Sequence, residues 1–403
     1  MNEMNFSQAA ELLNAVVKQA TGETPLTAIT NPETLVAVAQ TALKTGFDPI
    51  INAVSQVWSN TIFSGRPYNA EFNELEMSTS AYGNAVRKLS PVAQEMTDSQ
   101  EFQWPVAFDA AGHSGNALGN GESVDMYKIS KQEILQTNFY GTAVYSQRYT
   151  IFRDQLKCAF SNYNDFVNFN SLNMLQRAND REQYKENVAR CIQANFIASL
   201  IDENKPERVV HLLTEYNDIT GQTLTAETVY EASNFPAFIR WVYSRIKTIA
   251  RNMRSQTTYY QTIINNKPVV RHTPAKDLRI AILGQVADQI DSMVYTVNYD
   301  NNKFDFGDYR KVAFWQSIET PADVNITPVY TDTNGNVKTG SAVTGKTIWG
   351  LIHDKAALGY AEVDPWAGTT PLNIDGGYWN ENYHARYRTI QDNTEKAVVL
   401  LLD

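Results

Sequence analysis

The residues with the most obvious chemistry are Gly340-Ser341-Ala342-Val343-Thr344-Gly345-Lys346-Thr347, which spell the phosphate-cradling loop of nucleotide hydrolases. The run Val398-Val399-Leu400-Leu401-Leu402-Asp403 has the form of a strand ending in a magnesium-binding aspartate. Such a loop works only between a strand and a helix, where backbone N–H groups and the helix dipole converge on the phosphate. Here the loop follows the turn Thr333-Asn334-Gly335-Asn336 and precedes Ile348-Trp349-Gly350-Leu351-Ile352, which reads as a strand. Because the aspartate stands at position 403, a hydrolase sheet is not expected to extend past it. The spelling therefore lacks its context, and a P-loop hydrolase centred on Lys346 stays only as a lesser alternative.

The remaining candidates are weaker. His113, His211, His272, His353 and His384 are scattered, and none stands at metal-ligand spacing from another histidine or a motif acid. His353-Asp354 lacks the Gly-x-Ser-x-Gly turn that a nucleophilic serine would need. Asp202-Glu203 does not form an isolated pair of the glycosidase kind. Cys158 and Cys191 form no CxxC motif and are expected to be buried free thiols. The glycine-rich stretch containing Gly112, Gly115, Gly119 and Gly121 misses the dinucleotide fingerprint and reads as a loop tip. No metal or cofactor is expected, and no catalysis. One charged surface stands out: Arg240, Arg245, Lys247, Arg251 and Arg254 share a helix face, a candidate contact surface for DNA or an acidic neighbour, weighed against an ordinary solvated face.

The bulk composition suits broad protein contacts and, equally, an ordinary enzyme surface. Charged residues make up 19% of the chain, and Tyr (21), Phe (17) and Trp (7) are plentiful. Interfaces are enriched in aromatics and depleted in Lys, Glu and Asp. A net charge of −10 excludes a chain that is basic overall. Were such a chain to enclose DNA, its acidic wall would repel the phosphates and let the DNA slide. No run is apolar over membrane-spanning length, and the N-terminus carries Glu3 and Glu11 where a signal peptide would be basic.

The elements that must position these residues are α+β, without a βαβ rhythm or a short repeat. Residues 7–20 predict an amphipathic helix capped by Ser7 and ended by Gly22, and a second helix opens at Asn31-Pro32-Glu33 and is interrupted at Gly46. A third runs from Ile50 to Trp58, and the three together look like an extended arm. Phe102, Trp104, Val106 and Phe108 alternate with other residues, and Ser123–Ile129 is again strand-like, so 101–130 reads as a long hairpin with a Gly/Asn tip. Strand character resumes over 135–155. From Asn164 to Ile201 the pattern is helical, read as two helices broken near Asn179-Asp180. Another helix opens at Asn234-Phe235-Pro236 and buries Ile239, Val242, Ile246, Ile249 and Met253. Strands are expected at Leu278–Leu283, Val324–Tyr330, Ile348–Ile352, Tyr378–Thr389 and Ala397–Asp403, with a helix through Val286, Ile290 and Val294.

This order resembles the Hong Kong 97 fold of tailed-phage major capsid proteins. Phe139-Tyr140-Gly141 through Arg148, leading to Leu156-Lys157-Cys158-Ala159-Phe160, resembles the strand that enters the spine helix in small podophages of the Picovirinae kind. Ile348-Trp349-Gly350-Leu351-Ile352-His353-Asp354-Lys355-Ala356-Ala357-Leu358, then Asn373 to Trp379 and Asn382-Tyr383-His384, resembles the late strands of the peripheral domain. Pro274-Ala275-Lys276-Asp277-Leu278 resembles the entry to the axial domain. The resemblance implies an N-terminal arm at 1–75, an extended hairpin (E-loop) at 76–135, and a peripheral domain with a long spine helix at 136–209. It further implies an axial domain at 210–340 and returning peripheral strands at 341–403. It implies self-assembly into pentamers and hexamers of an icosahedral shell around double-stranded DNA, which the inner face meets without sequence specificity. A portal protein is an implied partner and no membrane is. With no long charged scaffolding segment before the fold and no immunoglobulin-like module after it, a separate scaffolding protein is expected. Lys128 and Lys131 lie near the hairpin, but nothing marks partners for a covalent cross-link. Assembly is expected in the host cytoplasm and the product in the virion. A tail or sheath component remains the closest alternative.

Overall fold

The computed structural model describes residues 5–22, 28–60, 68, 71–77, 86–92, 127, 129, 131–289 and 309–403. At the N-terminus, α1 (Phe6–Thr21), α2 (Pro32–Thr45) and α3 (Phe47–Asn60) form where apolar residues recur at helical spacing. Asn5, not Ser7, caps α1: its side chain accepts from the backbone N–H of Gln8, and Gln8 returns a bond to Asn5. Gly22 ends that helix at φ 77°, a left-handed position that suits glycine. Asn31 caps α2 in the same reciprocal way with Thr34, and Pro32 occupies the first turn.

These helices do not trail away as an extended arm. Leu13, Leu35, Ile50 and Ile51 are buried in a cluster with Leu156, Phe160, Phe166, Met174 and Trp379 from distant parts of the chain. Trp379 donates its indole N–H to Asp48 and stacks on Phe47. The apolar stripes of the three helices pack on one another and on residues more than a hundred positions away.

The middle of the chain begins with a two-stranded ribbon, β1 (Val86–Pro91) against β2 (Ile134–Phe139), antiparallel, with Val86 opposite Phe139 and Pro91 opposite Ile134. After Tyr140 comes β3 (Gly141–Phe152), then α4 (Arg153–Ala159) and α5 (Tyr163–Glu203). The last is one unbroken helix of 41 residues, about 60 Å long. A break near Asn179-Asp180 was expected because Asn and Asp side chains compete for backbone hydrogen bonds. Here both side chains are engaged elsewhere. Asp180 accepts from Gln147, from Gln176 (2.7 Å) and from the Tyr149 hydroxyl (2.7 Å), and Asn179 accepts from the backbone N–H of Tyr68. The apolar stripe is also interrupted where α5 buries charge, at Arg177, Glu186 and Arg190.

The rest of the chain supplies β4 (Val209–His211), α6 (Leu212–Thr220), α7 (Phe235–Met253), β5 (Leu278–Leu283), β6 (Tyr309–Val312), β7 (Val329–Thr331), β8 (Val337–Thr339), β9 (Ile348–Asp354), β10 (Leu358–Thr369), β11 (Tyr378–Gln391) and β12 (Ala397–Leu401). A five-stranded mixed sheet has the order β4-β12-β9-β5-β6, and a three-stranded antiparallel sheet has the order β10-β11-β3. The strands expected as one group over 341–403 thus divide between two sheets. Every residue of β9 and β12 is buried, so each runs inside the five-stranded sheet. β11 instead alternates in burial, which suits a sheet covered on one face. Gly350 in β9 has a steric reason: a Cβ there would meet the Ala281 carbonyl oxygen at 3.1 Å and Leu400 Cδ1 at 3.2 Å.

Strand pairing over Val324–Tyr330 is confined to β7 and a single bridge between Ile326 and Val343. Residues 284–289 continue β5 as a helix. The main core joins the five-stranded sheet to α6, α7 and the C-terminal half of α5, while the N-terminal part of α5 belongs to the cluster around α1–α3. One helix therefore runs through both cores. The expected hairpin at 101–130, with Gly112, Gly115, Gly119 and Gly121, lies outside the described residues.

Candidate functional site

The P-loop spelling folds into something else. A strand, β9, follows it where a phosphate site needs a helix. Its N–H groups are already taken by the protein's own carboxylates. Gly345 and Lys346 each donate to Asp323 at 2.9 Å, and Ser341 donates to Asp202 at 2.9 Å. The Lys346 ammonium lies 3.1 Å from Asp403 Oδ2, so the terminal aspartate pairs with a lysine. A phosphate would have to displace two carboxylates. Lys346→Ala is expected to leave nucleotide binding undetectable, as in the parent, and to change stability by less than about 1 kcal/mol, because a part-exposed ion pair contributes little. Titration with a fluorescent nucleotide checks the first point and denaturant unfolding the second.

The histidines stay dispersed. His211 Nδ1 lies 2.7 Å from Asp403, and His353 is buried with Nδ1 2.8 Å from the Asp354 carbonyl. Burial pushes the His353 pKa below its ordinary value, so it sits in the fold as a neutral ring. Among the described residues no group of His, Cys, Asp and Glu could hold a metal ion. Cys158 and Cys191 are exposed, not buried, because each falls on the outer side of its helix. Among the described residues no helix is long and apolar enough to cross a membrane.

Of the basic face on α7, Arg240, Lys247, Arg251 and Arg254 are exposed, while Arg245 is drawn into a two-point ion pair with Glu215 of α6 (2.7 and 3.0 Å). Lys247 lies over the Tyr243 ring at 4.6 Å. The helix thus presents a cationic stripe, with one of its five members turned to an internal task.

Two arrangements were not visible in the sequence. The first anchors the β1–β2 ribbon. Lys88 of β1 reaches the turn between β11 and β12, where its ammonium meets Asp392 (2.6 Å) and Glu395. Arg271 also meets Glu395 and donates to Ser90 (3.0 Å) and Thr394 (3.1 Å). Burial opposes the charge on Asp392, but Lys88 outweighs it and holds the carboxyl below its usual range; at Glu395 burial prevails and the pKa is raised. Lys88 and the acidic turn are some three hundred residues apart, so spacing could not reveal them.

The second arrangement is the face of the three-stranded sheet turned away from α5. Register places Arg148 opposite Asn382, Ser146 opposite His384 and Val144 opposite Arg386, with Trp366 opposite His384 on the other side. Trp366 and His384 stack at 4.3 Å and 16°. Arg148 donates from Nε to Asn382 (3.0 Å), and Arg386 is exposed. The alternation Asn380, Asn382, His384, Arg386 along β11 was the available signal, since side chains two apart share a face.

Such surfaces suit contacts with other molecules, and comparison with known families decides which kind. Residues 13–401 match the model of the Phi29-like phage major capsid protein family. The chain belongs to that family. It is a major capsid protein of a tailed phage, copies of which assemble into a shell and form part of the virion. The capsid structure of Staphylococcus phage Andhra contains a chain 11% identical, with 85% of this chain and 87% of that chain covered and a TM-score of 0.54. A chain in the structure of the head fiber and inner core protein of native bacteriophage P68 is 10% identical over 85% and 87%, with a TM-score of 0.53. At such identities the match is one of fold, the Hong Kong 97 type. No curated protein matches the sequence. The capsid protein therefore acts as a structural subunit, and its sites are its surfaces.

Proposed function

We propose that the capsid protein joins head-to-tail into rings of five and six that close an icosahedral shell, and that it catalyses nothing and binds no cofactor. The observation that carries this reading is the β1–β2 ribbon. It is held to the body along its length, through Lys88 with Asp392 and Glu395, through Ser90 with Arg271 and through Glu133 with Lys267, and the chain from 93 onward leaves next to Pro91. A rigid stem with a long segment beyond it suits a contact that reaches a neighbour.

In this reading residues 76–135 form the hairpin that lies across the adjacent subunit, with Gly112, Gly115, Gly119 and Gly121 letting the tip bend differently in the two kinds of ring. The α5 helix is the spine. Residues 210–340, together with β9 and β12, form the part that meets its copies near the ring axis, where the exposed cations of α7 face an acidic edge of a neighbour. The first 75 residues contact a further neighbour. A separate scaffolding protein, a portal protein and double-stranded DNA met without sequence specificity complete the particle, assembled in the host cytoplasm. Heterologous contacts of this kind close when the rotation between copies closes. Individually modest contacts then add up through copy number.

The test is electron microscopy of the chain expressed with a candidate scaffolding protein. Deleting residues 112–121 is expected to leave a soluble, folded subunit and to abolish regular shells. Normal shells from the deletion would remove the loop from its assigned role, and tubes in place of shells would favour a tail or sheath component.

A further inference from the structure

Where the C-terminal end of α7, the chain leading into β4 and the turn between β7 and β8 come together, they leave a cavity of about 860 Å³. Most of its lining comes from the loop that follows α7, and that loop is held in an uncommon shape. Tyr260 has φ 71°, a left-handed conformation that bulky side chains seldom adopt. Its surroundings enforce it. The Tyr260 carbonyl accepts from the Ala397 N–H (3.0 Å), the Thr262 N–H donates to the Asn393 carbonyl (2.9 Å), and the Thr262 hydroxyl donates to Glu203 (2.8 Å). Two consecutive tyrosines therefore part ways. Tyr260 is buried, Tyr259 is 57% exposed, and their rings meet edge to face at 4.6 Å. Further on, Asn265 and Asn266 both have φ 53° and form the tight turn that brings Ile264 back to Lys267. The Asn265 N–H donates to the Thr333 carbonyl (2.8 Å), which ties this turn to the one between β7 and β8. Backbone strain of this kind persists only where the fold over-determines it, and it clusters at sites that bind.

The chemistry of the lining narrows what could fill it. Asn252, Ser255, Thr257, Thr258, Asn266 and Thr333 present amides and hydroxyls. Tyr259 and Ile263 place exposed apolar surface among them. Among the described residues of the lining, Lys205 and Glu207 alone carry charge, one of each sign. The buried Gln261 donates to the Val269 carbonyl (2.6 Å), and its Oε1 has no partner among the described residues, so one buried acceptor lacks a donor. A phosphate would find a single cation opposed by a carboxylate. A metal ion would find one carboxylate, and a lipid would find little apolar surface inside a polar ring. A sugar ring is different, because it offers a face of C–H groups and an edge of hydroxyls that both donate and accept. An exposed aromatic ring suits that face, and amides and hydroxyls suit that edge. The cavity also has the size of small-ligand sites.

We propose that this cavity binds an uncharged oligosaccharide, one ring of which lies on Tyr259 while its hydroxyls bond with Asn252, Asn266 and the neighbouring Thr257 and Thr258. The site is separate from shell assembly and gives the capsid protein a ligand of its own. Because Ala397 and Asn393 fix the backbone around Tyr260, the lining is set before the ligand arrives, which limits the ordering cost of binding.

Saturation-transfer NMR on the full-length chain tests it, with maltotriose and triacetylchitotriose as neutral probes and trigalacturonic acid as an anionic one. At least one neutral probe is expected to bind, with transfer strongest at its ring C–H protons, and the anionic probe to bind about tenfold more weakly. Tyr259→Ala is expected to weaken the bound probe about tenfold or more, whereas Tyr259→Phe keeps the ring and should stay within about twofold of the parent. Lys205→Gln with Glu207→Gln should also stay within about twofold, since the ligand is neutral. Tyr259 is exposed, so its variants should unfold at the parent's denaturant midpoint, which separates lost binding from misfolding. Assembled shells are expected to bind the probe as the unassembled subunit does. Failure of both neutral probes to bind the parent would overturn the proposal, as would binding indifferent to Tyr259→Ala. Preference for the anionic probe, lost in the Lys205 and Glu207 variant, would make the cavity an anion site and overturn it too. Binding by the subunit that disappears in shells would show that a neighbouring copy fills the cavity, and the particle would then have no such site.

Discussion

Glu381→Ala is expected to destabilise the unassembled subunit by about 3–5 kcal/mol, measured by denaturant unfolding, because it strands a buried guanidinium. Arg177 of α5 and Glu381 of β11 face each other with both nitrogens on both carboxylate oxygens, and their side chains are 4% and 1% exposed. The guanidinium also lies over the Tyr149 ring, 4.4 Å from its centre. Taking two charges out of water is costly, and the geometry of the pair is what offsets it. Removing one partner keeps the desolvation cost and loses the compensation. The double replacement Arg177→Met with Glu381→Leu should recover most of the loss, since an apolar pair of similar volume carries no such cost. Equal destabilisation in the single and double variants would mean that packing, not charge, holds α5 to the sheet. Because that contact orients the long helix against the three-stranded sheet, the single variant is also expected to lower shell yield.

A loss of similar size is expected for Trp315→Ala. The indole is fully buried, and its N–H donates to the Ile348 carbonyl at 3.0 Å, next to the start of β9. Deleting the side chain opens a large cavity in the main core, which costs about 3–5 kcal/mol when the surroundings cannot collapse. Trp315→Phe keeps most of the volume and loses the hydrogen bond, so its cost should be about 1–3 kcal/mol. The difference between the two variants, from denaturant midpoints at constant slope, measures the cavity contribution. A Phe variant as damaged as the Ala variant would show that the hydrogen bond dominates.

Local chemistry was legible from the sequence. The Pro32 start of α2, the Gly22 stop of α1 and the apolar stripe of α7 all follow from rules that act over a few residues. The turn at Gly335 is of the same kind, with φ 79° between β7 and β8. The family resemblance came from the order of such elements. Where local rules compete with distant partners, the reading failed. β10 went unread because Asp364-Pro365 interrupts it, and the structure absorbs the interruption as a bulge between Val363 and Trp366. The break assigned to α5 failed because Asp180 is bonded by β3 side chains.

The candidate surfaces divide the same way. The cations of α7 could be found by helical spacing, but not that Arg245 is spent on Glu215. The phosphate-loop spelling could be discounted because a strand follows it, yet only the fold shows Asp323 and Asp202 filling its N–H groups. The ladder on the three-stranded sheet needs β3, β10 and β11 side by side, and β3 stands more than two hundred positions before the other two. The sequence by itself determined helix ends, turns, the charge balance and the family to which the element order belongs, because each depends on neighbours along the chain. Tertiary structure alone decided which strands share a sheet, which charges are buried in pairs and which face stays open, because those outcomes depend on partners that only the packed core brings together.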